Sequence, residues 1–314
     1  MAGKALSGFG ERALVARLRR LHDPDGSGGI GDDCAVLRIG SETVVATTDI
    51  TFDGVHYPRD APPNLKGWYA AAVNLSDLAA MGARPLGLLV AYGFPSDTPI
   101  EAFGGISGGV ERCANAHGTK VLGGDTKTSG LLTICVTALG EAPPGGALMR
   151  SGAGEGDALV LTGRIGRAHE WMLKGGNSGL GRMLRVEARL AEGAALASAG
   201  ATSCTDLSDG LALSLHYLSE ASGVGMEVRM DDVPFYPGVR SDARLEAASY
   251  GGDFELLATV PRGKLAVAHA KVRKAGGQLT EIGCVCGTGV RFSQGGRTKF
   301  LPKSGFEHFR RPKK

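Results

Sequence analysis

The stretch Ala72-Val-Asn-Leu-Ser-Asp-Leu-Ala-Ala-Met-Gly-Ala83 predicts the central helix of the fold. Apolar residues recur at helical spacing, and Gly82 is a stop signal, so we expect a helix over residues 67–81. Asn74 and Asp77 are three residues apart and therefore project from one face of that helix. A largely apolar helix with an amide and a carboxylate on one face needs polar partners elsewhere in the chain.

Outward from Asp77, four more aspartate clusters flanked by Gly, Ser or Thr lie where apolar stretches end. They are Gly31-Asp32-Asp33, Thr47-Thr48-Asp49, Gly123-Gly124-Asp125-Thr126 and Asp206-Leu207-Ser208-Asp209-Gly210. Ends of strands and helices are where a fold brings distant residues together. Converging carboxylates repel one another and are costly to desolvate, so a compensating cation is expected. Hard oxygen ligands suit Mg²⁺, which binds carboxylates, waters and substrate phosphates. The clusters predict a metal–nucleotide enzyme.

Each cluster also has a purely structural interpretation. Asp32 and Asp33 could be turn residues that bond their own backbone. Asp206 or Ser208 could cap a helix over residues 209–221. Because five clusters share a Gly, Ser or Thr setting at element boundaries, and caps do not usually need flanking glycines, the joint pattern favours the metal site.

The phosphate-binding motifs of common nucleotide enzymes are not found in this sequence. It has neither a P-loop nor a kinase-type glycine-rich loop, so metal ions and the backbone at Gly123-Gly124 would hold the phosphates. Arg150 could add positive charge there or could be a surface arginine. No Ser-His-Asp or Cys-His arrangement is suggested, and phosphoryl transfer requires no covalent protein nucleophile.

Composition indicates a soluble globular protein of two domains. The 314 residues are 43% hydrophobic and 21% charged, and the net charge of +3 does not argue for nucleic acid. The sequence shows neither an apolar run of about 20 residues nor a signal-peptide h-region, which argues against a membrane span.

Six cysteines in mostly apolar settings favour a reducing cytoplasm. Cys284 and Cys286 should share one face of a strand, but no second cysteine pair or histidine cluster supports a zinc or redox site. Fifty glycines are many, and we expect them to permit close backbone approach near the aspartates.

Helical and strand patterns alternate through the chain, which predicts a mixed α/β fold. Pro143-Pro144-Gly145-Gly146 is the best linker candidate, and the pattern restarts after it. We therefore expect an N-terminal domain over residues 1–145 and a C-terminal α/β domain over residues 146–314.

Taken together, these motifs resemble thiamine-monophosphate kinases, of the aminoimidazole-ribonucleotide-synthetase-like superfamily. The resemblance spans roughly residues 8 to 309 and includes the twelve residues from Ala72, Arg150-Ser151-Gly152, and His56 seven residues after Asp49. It implies ATP- and Mg²⁺-dependent phosphorylation of thiamine monophosphate to thiamine diphosphate by direct transfer. It also implies a homodimer in which the N-terminal sheet forms a barrel with that of the partner.

The resemblance assigns roles to individual residues. The metal ions, several in number, would be held by Asp33, Thr47, Thr48, Asp49, Asp77, Asp125, Asp206 and Asp209. ATP would contact Gly124, Asp125, Arg150 and Ser208. The thiamine phosphate would contact His56, Asp253 and an aromatic side chain, Phe306 or Phe309.

Two departures from the family lie on the acceptor side. Where the family has Gly-Gly-Glu-Asp-Tyr-Glu-Leu, this chain has the shorter Gly251-Gly252-Asp253-Phe254-Glu255-Leu256, so Asp253 stands as the candidate for the substrate-binding glutamate. The family's Arg-Pro-x-Pro-Arg loop is absent around residues 178–190.

Two other kinds of function compete with the kinase. Sister ATP-dependent synthetases carry a reactive cysteine or selenocysteine near the N-terminus or a cysteine at the C-terminus, and this sequence lacks the former and ends in Lys314. A non-catalytic thiamine-phosphate-binding regulator is disfavoured by the complete set of mutually repelling acids.

Overall fold

Two separate β-sheets organise the protein. The structure is a computed structural model that describes residues 5–23, 30–174 and 177–309. The strands are β1 (Ala35–Ile39), β2 (Glu42–Phe52), β3 (Arg84–Phe94), β4 (Val121–Thr128), β5 (Thr133–Glu141), β6 (Ala158–Thr162), β7 (Ser203–Asp206), β8 (Met226–Arg229), β9 (Leu256–Val260), β10 (Leu279–Val285), β11 (Val290–Gln294) and β12 (Arg297–Phe300). The α-helices are α1 (Glu11–His22), α2 (Pro63–Ala80), α3 (Ile100–Ala116), α4 (Arg167–Lys174), α5 (Asn177–Leu184), α6 (Leu190–Ala199), α7 (Leu211–Ser222), α8 (Arg244–Ala248) and α9 (Leu265–Lys274).

The first sheet has five strands in the order β1-β2-β5-β3-β4, and the second has seven in the order β12-β11-β8-β10-β6-β9-β7. The first sheet draws only on residues up to Glu141 and the second only on residues from Ala158 onward. This arrangement agrees with the mixed α/β expectation. The predicted boundary at residue 145 lies in the connection between β5 and β6 and stays a prediction.

Helix α2 is the most deeply packed helix of the N-terminal half, as the quoted stretch predicts. Thirteen of its residues are buried, including Asn74 and Ser76. It begins at Pro63, four residues before the predicted start, because proline is well suited to the first helical position, where no N–H is needed. Its last turn also joins a core cluster formed largely by the C-terminal half, in which Ala79 and Ala80 pack with Leu256. Helix α2 therefore links the two halves.

Several glycines allow helices to pack closely. The sequence instead predicts a role for glycines beside the aspartates. A Cβ on Gly67 of α2 would lie 1.9 Å from the carbonyl oxygen of Ile106 in α3, and one on Gly109 would lie 2.2 Å from that of Asn64. A Cβ on Gly193 of α6 would lie 2.0 Å from the oxygen of Ala79. Such contacts exclude any side chain, so these glycines let α3 and α6 approach α2 closely.

Some predicted boundaries differ from those observed. Periodicity predicts helices over residues 166–175 and 184–199 and a strand over 282–292. The structure has α4 and α6 in the two helical regions, with residue 175 outside the described residues, and an additional helix α5 between them. The predicted strand is divided between β10 and β11. Neither Asp206 nor Ser208 caps α7: its N-cap is Gly210, and no side chain bonds there. Gly210 has a φ of 100°, a conformation that favours glycine. The structural interpretation of these two polar residues as caps is thus wrong.

The five-stranded sheet is open in the single chain. Its edge strands β1 and β4 are exposed along their whole length. The expected barrel would form from the sheets of two chains, and the sheet of one chain is not closed by itself. Within the three described segments, no helix combines the length and the apolar character needed to cross a bilayer.

Candidate metal centre and its surroundings

Three carboxylates from distant parts of the chain meet in one place. Asp33 precedes β1, Asp77 lies on α2 and Asp206 ends β7, and one ligand oxygen from each lies within 4.8 Å of the others. Asp33 and Asp206 are buried. All three are among the metal ligands predicted from the sequence, and the fold brings these three together.

Hydroxyl groups fix the orientation of these carboxylates. Thr47 donates to Asp77 over 2.7 Å, Ser76 donates to Asp206 over 2.6 Å, and Thr205 donates to Asp33 over 3.0 Å. Each carboxylate keeps a defined rotamer through such a bond, so the cluster is held in place by its surroundings. Second interactions of this kind are typical of metal ligands.

Arg150 supplies positive charge to the cluster. Its Nη2 lies 2.6 Å from Oδ1 of Asp33, and its backbone N–H donates to Asp32 over 3.1 Å. The guanidinium also lies 4.9 Å from the ring centroid of Tyr217. The alternative interpretation of Arg150 as a surface arginine is therefore wrong, because its guanidinium is paired with the buried Asp33.

One arginine does not compensate the whole cluster. Burial raises the pKa of Asp206 to about 7, and the charge of Asp33 adds to this effect. Burial, followed by the charges of Asp49 and Asp206, raises the pKa of Asp77 well above its ordinary value. A divalent cation most strongly stabilises the ionised form of carboxylates that are buried and repel one another. The oxygen donors, their spacing and their excess charge therefore fit Mg²⁺.

Strand β2 supplies the polar partners that the sequence predicts for Asn74 and Asp77. Asn74 accepts a hydrogen bond from the backbone N–H of Asp49 over 2.9 Å, while Asp77 accepts one from Thr47. The amide and the carboxylate therefore face the same strand. Because successive side chains of a strand point to opposite faces, that of Thr48 lies on the other face of β2 from Thr47. Its hydroxyl donates to the carbonyl of Val136 over 3.2 Å. The metal role of the Thr48 side chain stays a prediction that this contact does not favour.

Asp125 lies apart from the three-carboxylate cluster. Its side chain is 58% exposed on the edge strand β4, 2.9 Å from Nζ of Lys127. A hydrogen bond from Lys127 and one from the backbone of Thr126 lower the pKa of Asp125. Lys127 is a functional candidate that sequence analysis missed, although it follows the Gly-Gly-Asp-Thr motif directly. Next to it, a cavity of about 300 Å³ is lined by residues that include Phe94 and Phe103.

Gly124 provides a sharp test of this strand. A Cβ there would lie 1.8 Å from the backbone oxygen of Val90 on β3, whereas the nearest atom to a Cβ on neighbouring Gly123 would be 3.8 Å away. We expect Gly124→Ala to lower the free energy of unfolding by at least about 2 kcal/mol, because the β3–β4 pairing must shift. Gly123→Ala is the matched control and should change stability far less. Denaturant unfolding of both variants measures the difference, and equal stabilities would contradict the steric assignment.

The loop between β7 and α7 carries Ser208 and Asp209 and is held by the glycine motif after α8. Gly252 donates its N–H to the carbonyl of Ser208 over 2.8 Å, and Phe254 donates to that of Leu207 over 3.1 Å. Phe254 has a φ of 53°, which is rare for an aromatic residue. Burial and the charge of Glu11 raise the pKa of Asp209 to about 6. The roles of Ser208 in ATP binding and of Asp209 in metal binding stay predictions.

Asp253 has a structural contact that sequence analysis did not anticipate. Its two carboxylate oxygens accept the backbone N–H groups of Gly166, over 2.7 Å, and Arg167, over 2.9 Å. It therefore binds the first turn of α4, where a negative charge is favourable. Because both oxygens are engaged there, the contacts do not favour its predicted role in binding substrate.

His56 is poised to donate a hydrogen bond. Its Nδ1 accepts the backbone N–H of Phe52 over 3.0 Å, so the neutral ring carries its proton on Nε2. Burial and the nearby His308 lower the pKa of His56 to about 4, which keeps the ring neutral near pH 7. The centroids of the two histidine rings are 5.4 Å apart. Phe306 and Phe309, both about half-exposed, belong to the same C-terminal segment.

Comparison with known proteins identifies the family. The AIR synthase related protein models match, the N-terminal domain over residues 31–142 and the C-terminal domain over residues 154–293. A thiamine-monophosphate kinase from Methanospirillum hungatei is 34% identical over 284 residues, which cover 90% of this chain and 94% of that protein. One from Salmonella typhimurium is 36% identical, covering 96% and 99% respectively. The chain belongs to the thiamine-monophosphate kinase family.

A solved structure shares the whole architecture of this family. AaThiL complexed with AMPPCP and TMP superposes with a TM-score of 0.84 and 26% identity, covering 98% of this chain and 100% of that one. The resemblance drawn from the motifs is thereby confirmed, as is the two-domain mixed α/β fold. The chain is an enzyme of this kinase family.

Proposed function

We propose that the protein uses ATP and Mg²⁺ to phosphorylate thiamine monophosphate to thiamine diphosphate by direct transfer. The observation that carries this proposal is the meeting of Asp33, Asp77 and Asp206 within 4.8 Å, with hydroxyl partners and too little positive charge. The similar structure of AaThiL complexed with AMPPCP and TMP supports both substrates.

Chemistry at this site would consist mainly of positioning and charge compensation. Asp33, Asp77 and Asp206 would hold Mg²⁺, with Asp49, Asp125 and Asp209 as further candidates; the bound metal would offset charge on the phosphates. Arg150 keeps the Asp33 carboxylate oriented. The acceptor is a phosphate that is already ionised at neutral pH, so no strong general base is required. His56, with its proton on Nε2, would donate to that phosphate.

The ATP side of the proposal extends over β4. Gly124 and Asp125 would contact the phosphates, together with Arg150 and Ser208. The cavity beside Asp125 combines the aromatic rings of Phe94 and Phe103 with the polar strand residues 126–128. A flat purine base fits such a lining, because an aromatic wall favours stacking while the strand offers hydrogen bonds. We propose this cavity for the adenine ring.

A homodimer and a cytoplasmic location complete the proposal. The edge strands of the first sheet expose Leu37 and Ile39 on β1, and Val121 and Leu122 on β4, each between 41% and 63% exposed. Apolar edge strands of this kind are suited to pairing with a second chain. All six cysteines are free thiols, as expected in a reducing compartment. Light scattering that gives twice the mass of one chain would support the dimer.

An assay of ADP and thiamine diphosphate tests the proposed reaction. We expect ADP formation to depend on thiamine monophosphate and to match the thiamine diphosphate formed, because the phosphoryl group passes from one to the other. Unphosphorylated thiamine serves as the control acceptor and should support no comparable turnover. ADP formed at the same rate without thiamine monophosphate, with no thiamine diphosphate appearing, would refute the kinase assignment.

A further inference from the structure

The two ends of the described chain are fastened together beside the candidate site. In the first turn of α1, Glu11 donates its N–H to the carbonyl of His308 over 3.2 Å. In return, His308 donates its N–H to Oε2 of Glu11 over 2.9 Å. The two residues are 297 positions apart in sequence. We call the segment Gly305–Phe309 the C-terminal strap.

A well-shielded ion pair adds to this attachment. Nη2 of Arg12 lies 2.7 Å from Oε2 of Glu307, whose side chain is only 6% exposed, against 26% for Arg12. The backbone N–H of Arg12 also donates to Glu307 over 3.4 Å. Removing one partner of such a pair leaves a poorly solvated charge, so the loss is larger than at an exposed ion pair. No side chain of α1 is buried, so polar contacts carry much of the attachment.

The C-terminal strap also touches both sides of the candidate site. Phe306 donates its N–H to the carbonyl of Asp209, a predicted metal ligand, over 3.2 Å. A Cβ on Gly305 would lie 2.6 Å from that same oxygen, so only glycine permits this approach. The ring of His308 lies against that of His56, the candidate donor to the acceptor phosphate. The strap therefore spans from the metal side to the acceptor side.

We propose that Glu11 and Arg12 are positioning residues for the acceptor: they hold the C-terminal strap so that its aromatic side chains form one wall of the acceptor site. This inference rests on the proposed function. The strap has no helix or strand of its own, and ordering such a segment costs conformational entropy at every residue. The contacts with α1 offset that cost before the acceptor arrives. An acceptor with a flat, cationic ring suits a wall that presents Phe306 and Phe309.

Charge reversal and charge exchange test the inference. Arg12→Glu and Glu307→Arg should each raise the KM for thiamine monophosphate roughly tenfold, while kcat and the KM for ATP change less than about twofold. The double variant that exchanges the two charges should bring the KM for thiamine monophosphate most of the way back to the wild-type value. Arg17→Glu, at an exposed position on the same helix, is the matched control and should behave as the wild type. Glu307→Gln changes the shape of the side chain little and is used if a charge-reversal variant fails to fold. It should also raise the KM for thiamine monophosphate.

A second readout does not depend on turnover. Amide hydrogen exchange of residues 305–309 should be faster in Arg12→Glu and Glu307→Gln, slow again in the exchanged pair, and unchanged in Arg17→Glu. Unaltered exchange, an unaltered KM for thiamine monophosphate in the single variants, or no recovery in the exchanged pair would overturn the inference. Failure of the proposed function would appear already in the wild type, as missing thiamine diphosphate, whereas failure of this inference would appear only in the variants.

Discussion

Replacing Asp77 with asparagine is expected to lower kcat by on the order of 10³-fold or more, because a ligand that offsets charge during transfer is lost. The same change should leave the metal-free protein at least as stable as the wild type. A carboxylate oxygen of Asp77 lies within 4.8 Å of one from each of Asp33 and Asp206. Burial, followed by the charges of Asp49, Asp206 and Asp33, raises the pKa of Asp77. An uncharged amide of nearly the same shape relieves that repulsion and can still accept the hydrogen bond from Thr47.

The measurements for this variant are steady-state kinetics and thermal unfolding in a metal chelator. Asp242→Asn is the matched control: its carboxylate is 66% exposed and is paired with Arg240 at the surface. This control should retain activity and change stability by no more than about 0.5 kcal/mol. Wild-type kcat in Asp77→Asn would contradict the metal site. A large loss of stability in that variant would contradict the claim that the acids repel one another.

The metal-free protein is expected to become less stable between about pH 4 and about pH 7, where the unfolded chain has released protons that the folded carboxyl groups still hold. Burial, together with neighbouring charges, raises the pKa of Asp206 to about 7 and those of Asp32 and Asp209 to about 6, from 3.8 in the unfolded chain. A raised pKa means that the folded state holds the proton more tightly. The resulting stabilisation is complete below about pH 4 and is lost as the pH rises through the folded values.

Thermal unfolding with a chelator, repeated with excess Mg²⁺, measures this effect. Each such carboxyl contributes a slope of up to about 1.4 kcal/mol per pH unit within its window. Mg²⁺ binds the ionised folded form and should flatten or reverse the slope. His56, with a pKa lowered to about 4, acts in the opposite direction below about pH 6.5 and offsets part of the loss there. Asp206→Asn should show a smaller slope than the wild type. A melting temperature that is constant or rises across this range in chelator would contradict the charged cluster.

Local patterns in the sequence predicted what is encoded locally. The spacing of Asn74 and Asp77 placed both side chains on one face of α2, and the structure confirms it through their contacts with β2. The sequence also predicts paired strands over residues 34–39 and 43–47 with a turn at Gly40-Ser41, and β1 and β2 pair antiparallel around that turn. The joint pattern of acids predicted a convergence, and three of them do converge. Periodicity and flanking glycines are sufficient for such inferences, because each feature depends only on the conformation of the backbone a few residues away.

Partners far apart in sequence could not be predicted in the same way. Arg150 and Asp33 are separated by 117 residues, and no local pattern couples them. The sequence predicts Asp253 as a substrate contact but does not reveal that it binds the start of α4, a helix whose position depends on tertiary packing. Gly67, Gly109 and Gly193 were indistinguishable in sequence from loop glycines, although they serve helix crossings. Glu11 and Arg12 are charged residues at a helix start, and no local pattern indicates that the fold places the C-terminal strap beside them.

The central claim is that the carboxylates of both halves hold divalent cations against the phosphates of ATP. Crystals grown with Mn²⁺, a non-hydrolysable ATP analogue and thiamine monophosphate test it most directly, because anomalous scattering locates each Mn²⁺ without ambiguity. We expect Mn²⁺ within about 2.5 Å of carboxylate oxygens of Asp33, Asp77 and Asp206 and of the phosphate oxygens of the analogue. An ordered nucleotide with no anomalous peak within coordination distance of these three aspartates would contradict the account.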